Sequence, residues 1–596
     1  MNPQPTEPAG PAHRPRPLCE YALLADGERG ALLGPDGSLV WLCVPGWDAP
    51  AVLCELIGGA GAFQVAPEDA WHVPGGCYRD GSLIWTTRWT LAPGVVECRD
   101  ALAVPADPHR AVVLRRVRAA SGPARAVVRL RVRGDYGSGP PLRPRRTGPD
   151  VWEAAHGGLR MRLTGVTTAE VTADGELRAR LALPEGESHD LVLELSDRPL
   201  GAPPSAARAW RRTLRHWDRA VPDCTALPAA RDARTAYAVL TGLTSPRTGA
   251  MVAAATTSLP EHAGGARDYD YRYAWLRDQC YAGLAVAAHG PHPLTDAAVR
   301  VATERVLADG PALRPAYRTD GGPVPDERSL PLRAYPGAAD RVGNRAGRQF
   351  QLDTFGEVLE LLAAAARQDR LDGDGVRAAG TAADALAAHW RRPDAGLWEL
   401  TPAWWTHSRL AAVCGLRAAA EDIEVPAADD WRRLADTILD ETRRRCVHPS
   451  GRWQRAADDA RPDAALLRPL ASASWPRPDG APMLGATRRA VERELTADGF
   501  VHRFRRPGRT LGDLEGAFLL CGFLMAAACR VEGRPVAAAR WFERTRSAAG
   551  PAGLFAEEYD VFQRRLRGNL PQAFVHALLL ENAVRLPRDA GPDGEE

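Results

Sequence analysis

The sequence predicts two domains, an N-terminal antiparallel β-sandwich and a C-terminal (α/α)6 toroid of six helical hairpins. From about residue 21 to 200, short segments alternate apolar with charged residues and are interrupted by Gly and Pro, a pattern typical of antiparallel sheets. Beyond about residue 203, long segments rich in Ala, Leu and Arg recur almost to the end of the chain. With 596 residues, the chain is long enough for both domains.

The clearest hairpin signal in the first half is residues 32–41, where two apolar runs flank an Asp36-Gly37 turn. Apolar and charged residues alternate at 127–133 and 177–183, and again at 191–195. Such alternation predicts strands with one buried and one solvated face. These strands define a β-sandwich domain at 18–202.

A helical segment at 205–221 predicts a connector within a linker at residues 203–228. Eleven further helical segments predict the barrel at residues 229–590: 230–243, 276–289, 296–307, 354–367, 376–390, 406–420, 429–445, 486–496, 514–529, 535–547 and 573–584. Their spacing lacks a fixed period, which argues against a helical-repeat array. In a closed barrel of helical hairpins, we expect the ligand where the long loops converge.

Composition and charge exclude several classes of protein. The 76 Lys and Arg residues nearly cancel the 74 Asp and Glu residues, so neither nucleic acid nor an anionic membrane is expected as a partner. Apolar runs stay below the ~18 to 20 residues of a membrane span.

Eleven irregularly spaced cysteines predict a reducing cytoplasm, and we expect neither a metal nor another cofactor. Pro-rich residues 1–17 predict a disordered leader, and 591–596 a short tail.

Residues 267–278 concentrate three Asp, three Arg, three Tyr and one Trp. Buried charges have to be paired or hydrogen-bonded, so a simple core segment is a poor interpretation. We interpret the segment as the polar and aromatic wall of a cleft for a polyhydroxylated ligand. An ordinary Arg/Asp network at a helix start is the alternative.

Two later turns each place a Glu beside aromatic residues, Glu399 after Trp398 and Glu557 before Glu558 and Tyr559. Two separated carboxyl groups near rings fit the cleavage of a glycosidic bond. One stays protonated, which an apolar neighbour favours, and gives its proton to the leaving oxygen. The other stays ionised and activates water or attacks the sugar. The residues alone therefore suggest a sugar-active enzyme, although most single Glu residues are solvated surface groups.

Several segments resemble, in the same order, motifs of glycoside hydrolase family 15, the glucoamylase, glucodextranase and trehalase group, in particular its bacterial members with an N-terminal β-sandwich. They extend over nearly the whole chain: YALLAD (21–26), GSLVWLC (37–43), YDYRYAWLRD (269–278), GLWE (396–399), THS (406–408), EEYD (557–560) and GNLPQAF (568–574).

The resemblance implies that Glu399 is the general acid and Glu557 the general base, with Glu558 as the rival for the base. It implies that Arg277 and Asp278 bind hydroxyls of the terminal glucose. The lining of the pocket is expected from Tyr271, Trp275 and Trp398. Three departures from the usual family pattern bear on the leaving-group subsite, namely Tyr269 in place of Trp, a short loop at 400–403 that lacks an Arg, and Gly522.

The function implied is an exo-acting, inverting hydrolase of α-glucosides, either glucoamylase-like on oligosaccharides or a trehalase, which releases β-glucose. Its partner is then a small-molecule α-glucoside. Two alternatives stay open, a catalytically inactive carbohydrate-binding or sensing protein on the same fold and a sugar phosphorylase. The sequence leaves the oligomeric state undetermined.

Overall fold

The computed structural model describes residues 15–265, 267–476 and 481–586. Most of the predicted leader (1–17) and the whole predicted tail (591–596) lie outside these residues. Among the described residues, no helix combines the length and the apolar character needed to cross a bilayer.

Two antiparallel sheets, each of eight strands in the described part of the chain, pack against each other in the N-terminal domain. The strands are β1 (Ala22–Ala25), β2 (Gly30–Leu33), β3 (Ser38–Cys43), β4 (Ala51–Leu53), β5 (Ala62–Pro67), β6 (Val73–Tyr78), β7 (Trp85–Leu91), β8 (Gly94–Leu102), β9 (Arg110–Ser121), β10 (Ala124–Arg131), β11 (Arg145–Arg146), β12 (Val151–His156), β13 (Leu159–Thr164), β14 (Glu170–Val171), β15 (Leu177–Leu183) and β16 (Ser188–Ser196). The first sheet has the order β1-β2-β3-β5-β10-β15-β14 with β4 beside β3, and the second has β11-β12-β13-β16-β9-β8-β7-β6.

The predicted β-sandwich is confirmed. Strands β10 and β15 bury one face as expected. The solvated face expected at 191–195 is wrong, because β16 is buried on both faces there and Glu194 pairs with the buried Arg162. The hairpin expected around Asp36-Gly37 is formed by β2 and β3, and β10 buries every second residue.

A buried arginine joins the two sheets. Arg115 of the second sheet pairs with Asp100 (Nε to Oδ1, 2.7 Å) and donates to the carbonyl oxygen of Phe63 in the first sheet.

Thirteen α-helices follow within the described residues. They are α1 (Ala206–Ala220), α2 (Ala230–Leu243), α3 (Leu276–His289), α4 (Pro293–Asp309), α5 (Asp353–Ala366), α6 (Gly373–His389), α7 (Thr406–Asp422), α8 (Ala428–Cys446), α9 (Leu467–Ala471), α10 (Ala481–Glu494), α11 (Leu519–Val531), α12 (Pro535–Arg546) and α13 (Ala573–Arg585). Helix α1 lies in the predicted linker and packs on β9, β16 and α2.

The other helices form two concentric rings. Helices α3, α5, α7, α9, α11 and α13 contact one another in that order, and α13 contacts α3 again, which closes the inner ring. Helices α2, α4, α6, α8, α10 and α12 pack outside this ring. The inner helices are buried on most sides, as an all-round apolar helix requires. The predicted (α/α)6 toroid is therefore confirmed.

The loops at one end of the toroid contain short strands. These strands are β17 (Ala274–Trp275), β18 (Ala316–Tyr317), β19 (Arg328–Ser329), β20 (Arg341–Val342), β21 (Thr496–Ala497), β22 (Phe500–Val501), β23 (Ala517–Phe518), β24 (Glu558–Asp560) and β25 (Arg565–Arg567). One predicted helix boundary is wrong for this reason. The helix expected from residue 514 begins at Leu519, because Ala517 and Phe518 pair with β24. Helix α9 was not predicted, since five residues are too few to show a helical period.

A buried ion pair joins the two domains just before α3. Arg272 donates from Nε and Nη2 to the two carboxylate oxygens of Asp270, at 2.8 and 2.7 Å. The same guanidinium donates to the N-terminal domain, to the carbonyl oxygen of Ala49 (3.0 Å) and the hydroxyl of Tyr136 (3.1 Å). It also lies over the ring of Trp41. One side chain thus satisfies its donors on both domains at once.

We expect Arg272→Met to lower the free energy of unfolding by about 3 to 5 kcal/mol, because it leaves the Asp270 carboxylate buried without its partner. Thermal and urea unfolding measure this loss. Arg433→Met is the matched control, since Arg433 pairs with Asp430 on the exposed surface of α8, and it should leave the unfolding midpoint unchanged. Equal midpoints for both variants would contradict the structural role of Arg272.

Candidate active site

The loops at one end of the toroid enclose a cavity of about 350 Å³, a size typical of small-molecule pockets. All seven residues predicted for the site line it, namely Tyr271, Trp275, Arg277, Asp278, Trp398, Glu399 and Glu557. The structure therefore brings together side chains that are up to 286 positions apart in the sequence.

The segment before α3 reaches the cavity with alternate residues. Its chain is extended, so successive side chains point to opposite sides. Tyr269, Tyr271 and Trp275 line the cavity, and the rings of Tyr271 and Trp275 meet edge to face at 5.5 Å. Asp270 and Arg272 are buried on the other side, against the N-terminal domain. The interpretation of the whole segment as a cleft wall is therefore wrong for Asp270 and Arg272, which lie at the domain interface, whereas Arg277 and Asp278 at the end of the segment line the cavity.

Glu399 occupies a tight turn between α6 and α7. Its backbone has a left-handed φ of 55°, which is uncommon for a residue with a side chain and typical of functional sites. Gly396 opens the turn with a φ of 65°, and a Cβ atom there would lie 2.7 Å from the ring of Trp405. The carboxylate of Glu399 accepts a hydrogen bond from Trp275 Nε1 at 2.7 Å and another from Arg277 Nη2 at 3.4 Å.

A closed ring of hydrogen bonds fixes the same turn. Arg277 Nη1 donates to Gln351 Oε1, Gln351 Nε2 donates to Gln349 Oε1, and each of these bonds measures 3.1 Å. Gln349 Nε2 then donates to the backbone oxygen of Glu399 at 3.5 Å. Because Arg277 also binds the Glu399 carboxylate, the ring fixes both the backbone and the side chain of that residue.

A buried polar layer lies beneath Arg277. Burial raises the pKa of Asp278 to about 6, although the neighbouring Arg277 charge counteracts this effect. Helix α5 places Asp353 and Glu357 on one face, four positions apart. Burial and the charge of Asp353 raise the pKa of Glu357 to about 8, and Tyr281 donates to Glu357 Oε1 at 2.9 Å. Burial thus favours the protonated form of the carboxyl groups in this layer.

Glu557 lines the same cavity and is only 4% exposed. Tyr271 donates its hydroxyl hydrogen to Glu557 Oε1 at 3.1 Å, while Oε2 has no protein partner among the described residues. Gly568 permits the close approach of the neighbouring loop, since a Cβ atom there would lie 3.1 Å from Glu557 Cβ. Burial raises the pKa of Glu557 well above its usual value, and the charge of Glu261 raises it further.

The adjacent Glu558 points away from the cavity. It is fully buried, accepts a hydrogen bond from the backbone nitrogen of Gly516 at 2.6 Å, and does not line the cavity. Glu558 is the first residue of strand β24, where consecutive side chains alternate between the two faces. The geometry therefore favours Glu557 over Glu558 as the residue that faces a ligand.

Trp398 forms part of the wall between the two glutamates. Its Nε1 donates to Asp463 Oδ1 at 2.8 Å, and its ring meets Phe518 edge to face at 5.2 Å. These contacts hold the indole in one orientation, so a flat apolar surface lies beside Glu399.

Sequence reasoning missed several lining residues. They include Glu261, Arg341, Arg503, Phe518, Gln572 and Phe574. Gln572 and Phe574 lie in the recognised segment 568–574, so that motif was an available signal. Glu261 and Arg503 lie in irregular loops between segments, where the local sequence carries no signal of burial. Within the described residues, no group of three or more His, Cys, Asp or Glu side chains is arranged to bind a metal ion.

Most of the chain is similar in sequence to known proteins. The family model "Glycosyl hydrolases family 15" matches residues 233–584, which is more than half of the chain. The chain belongs to glycosyl hydrolase family 15. A second model, "Trehalase-like, N-terminal", matches residues 12–211. The predictions of this family and of a glycoside hydrolase are confirmed.

Relatives of this family 15 enzyme match it nearly end to end. The trehalase of Mycobacterium tuberculosis is 31% identical over 96% of this chain and 90% of its own length. The trehalase of Mycolicibacterium smegmatis is 32% identical over 96% of this chain and 91% of its own length. Among solved structures, a bacterial glucoamylase complexed with acarbose is 13% identical, covers 97% of each chain and gives a TM-score of 0.69, which shows a shared fold.

We expect Trp275→Phe to reduce kcat/KM about tenfold or more, because it removes the donor to Glu399 and keeps an aromatic ring beside Tyr271. Steady-state kinetics on an α-glucoside measure this effect. Trp453→Phe is the matched control, since Trp453 is fully buried outside the cavity and its Nε1 has no hydrogen-bond partner among the described residues. A Trp275→Phe enzyme as active as this control would show that the bond to Glu399 is unimportant.

Proposed function

We propose that this enzyme is an exo-acting, inverting α-glucoside hydrolase with trehalose as its substrate. Glu399 is the general acid, and Glu557 is the general base that activates water. The observation that carries the proposal is the placement of these two carboxyl groups in one cavity, each held by a donor from the segment before α3. Arg277 and Asp278 bind hydroxyl groups of the terminal glucose, and Tyr271, Trp275 and Trp398 line its pocket.

Inversion is supported by how the two glutamates are held apart. Glu399 is bound by Trp275, Glu557 is bound by Tyr271, and the rings of Trp275 and Tyr271 contact each other. Two side chains in series therefore connect the carboxyl groups. Inverting hydrolases hold their two carboxyl groups apart because a water molecule has to fit between the base and the anomeric carbon. The carboxylate of a retaining enzyme instead attacks this carbon directly.

The environments of the two glutamates support their different roles. Glu399 faces the cavity with its carboxylate partly exposed, where it reaches the oxygen of a leaving group. Glu557 has one oxygen bound to Tyr271 and one oxygen without a protein partner among the described residues, which is available to water. A general base needs a free lone pair at that position.

Trehalose is proposed because the relatives that align over almost the whole of this chain are named trehalases. Their similarity includes the N-terminal domain as well as the barrel. The glucoamylase neighbour shares the fold at 13% identity, so its ligand gives no argument about the substrate. We also propose a cytoplasmic location, since the eleven cysteines occur as free thiols.

Glu399→Gln and Glu557→Gln should each reduce kcat by about 100-fold to 10,000-fold, because each removes one proton-transfer group and keeps the shape of the side chain. Kinetics on trehalose measure the loss. Glu492→Gln is the control, since Glu492 pairs with Arg488 on α10, outside the cavity, and it should leave kcat unchanged. Near-normal turnover in either site variant would refute the role of that residue.

The anomers released from trehalose report the mechanism. An inverting enzyme releases β-glucose from the attacked ring and α-glucose from the leaving ring, so we expect equal amounts of both early in the reaction. Proton NMR within the first minutes, before mutarotation, measures this ratio. Early α-glucose alone would indicate retention, and glucose 1-phosphate formed only with added phosphate would indicate a phosphorylase. Hydrolysis of maltose or soluble starch in preference to trehalose would contradict the proposed substrate.

A further inference from the structure

Six charged residues form a compact group on the base side of the cavity, which we call the glutamate–arginine cluster. It consists of Glu261, Arg267, Arg503, Glu515, Glu557 and Glu558. All except Arg267 are almost completely buried. They come from four separate stretches of the chain, so the cluster exists only in the folded protein.

Arg503 is the centre of the cluster. Its Nη2 lies 2.7 Å from Glu515 Oε2 and 3.6 Å from both Glu261 Oε2 and Glu558 Oε1. Its guanidinium also lies over the rings of Phe518 (4.8 Å) and Trp398 (5.5 Å). The planar guanidinium of Arg503 contacts two rings and three carboxylates at once, so a rotation that breaks one of these contacts also breaks the others.

Glu261 is the carboxylate of the cluster that shares the cavity with Glu557. It is 2% exposed, and its Oε2 accepts a hydrogen bond from Arg267 Nε at 2.7 Å. Its Oε1 has no hydrogen-bond partner among the described residues, and the same is true of Glu557 Oε2. A buried carboxylate oxygen without a partner is costly, so a pair of them in one cavity points to a function.

The cluster contains more acids than bases. Four carboxyl groups face the buried guanidinium of Arg503 and the partly exposed guanidinium of Arg267, while Arg506 pairs with Glu515 at 3.4 Å. After burial, the charge of Glu261 has the largest effect on the pKa of Glu557 and raises it. The charge of Arg503, the hydrogen bond from Tyr271 and the charge of Arg267 lower this pKa, in that order. The two largest influences from neighbouring side chains therefore oppose each other.

We propose that Glu261 and Arg503 are positioning residues that set the charge state of Glu557, with Glu261 favouring its protonated form and Arg503 its ionised form. The proposal rests on the assignment of Glu557 as the general base. A base activates water only when it is ionised, so the balance between these two neighbours sets the acidic limit of the pH range in which the enzyme works.

The pH dependence of kcat/KM on trehalose tests this balance with two substitutions of opposite sign. Glu261→Gln removes a negative charge, so ionised Glu557 becomes easier to form, and we expect the acidic limb to move about one pH unit lower. Arg503→Met removes a positive charge, and we expect the same limb to move about one pH unit higher. Arg503→Lys restores the charge and should return the limb towards its original position. Structural damage alone would not shift the acidic limb in opposite directions for Glu261→Gln and Arg503→Met.

Circular dichroism and the thermal midpoint show whether each variant is folded. If Arg503→Met does not fold, Glu261→Gln alone tests the proposal. A shift of the acidic limb of the kcat/KM profile to lower pH supports the proposal, and an unchanged acidic limb overturns it. Glu492→Gln, which lies outside the cavity, should leave the acidic limb at its original pH.

Glu557→Gln separates the two proposals. If Glu557→Gln loses turnover while Glu261→Gln leaves the limb in place, only the inference about Glu261 and Arg503 fails. If Glu557→Gln stays active, the assignment of the base itself fails.

Discussion

The buried ion pair between Asp270 and Arg272 is the interaction on which the arrangement of the site depends. Arg272 donates to Asp270 and to four groups of the N-terminal domain, so it fixes the extended segment between the two domains. Because side chains alternate along this segment, fixing Asp270 and Arg272 also fixes Tyr271 and Trp275 on the other side. Those two rings then donate to Glu557 and Glu399. A contact between domains thus helps to position both proposed proton-transfer groups.

The N-terminal sandwich acts on the site without entering it. Every residue that lines the cavity lies between positions 253 and 574, within the toroid and its loops. The sandwich instead supplies backbone carbonyl groups and Tyr136 that solvate a buried guanidinium. A charge can be buried only when its donors are satisfied. The domain therefore makes it possible to place a rigid, charged segment against the cavity.

The cavity has two electrostatic halves, each built around an arginine. Arg277 lies beneath Glu399 and is surrounded by Asp278, Asp353 and Glu357, whereas Arg503 lies beside Glu557 among Glu261, Glu515 and Glu558. Fixed charges inside a protein act more strongly than in water and need no reorganisation during the reaction. An acid and a base that work in one pocket require different environments. The two separate halves supply those environments a short distance apart.

Local periodicity predicted the two domains and nearly all the helices, and the resemblance of short motifs to family 15 predicted the seven candidate site residues. The sequence did not determine helix α9, which is too short to show a period, or the start of α11, which depends on pairing with β24. It also did not reveal that Asp270 and Arg272 face the other domain, or that Glu261 and Arg503 pair with each other in the cavity that Glu557 lines. Tertiary structure alone decided these points, because the free energy of a buried charge depends on partners that are distant in the chain.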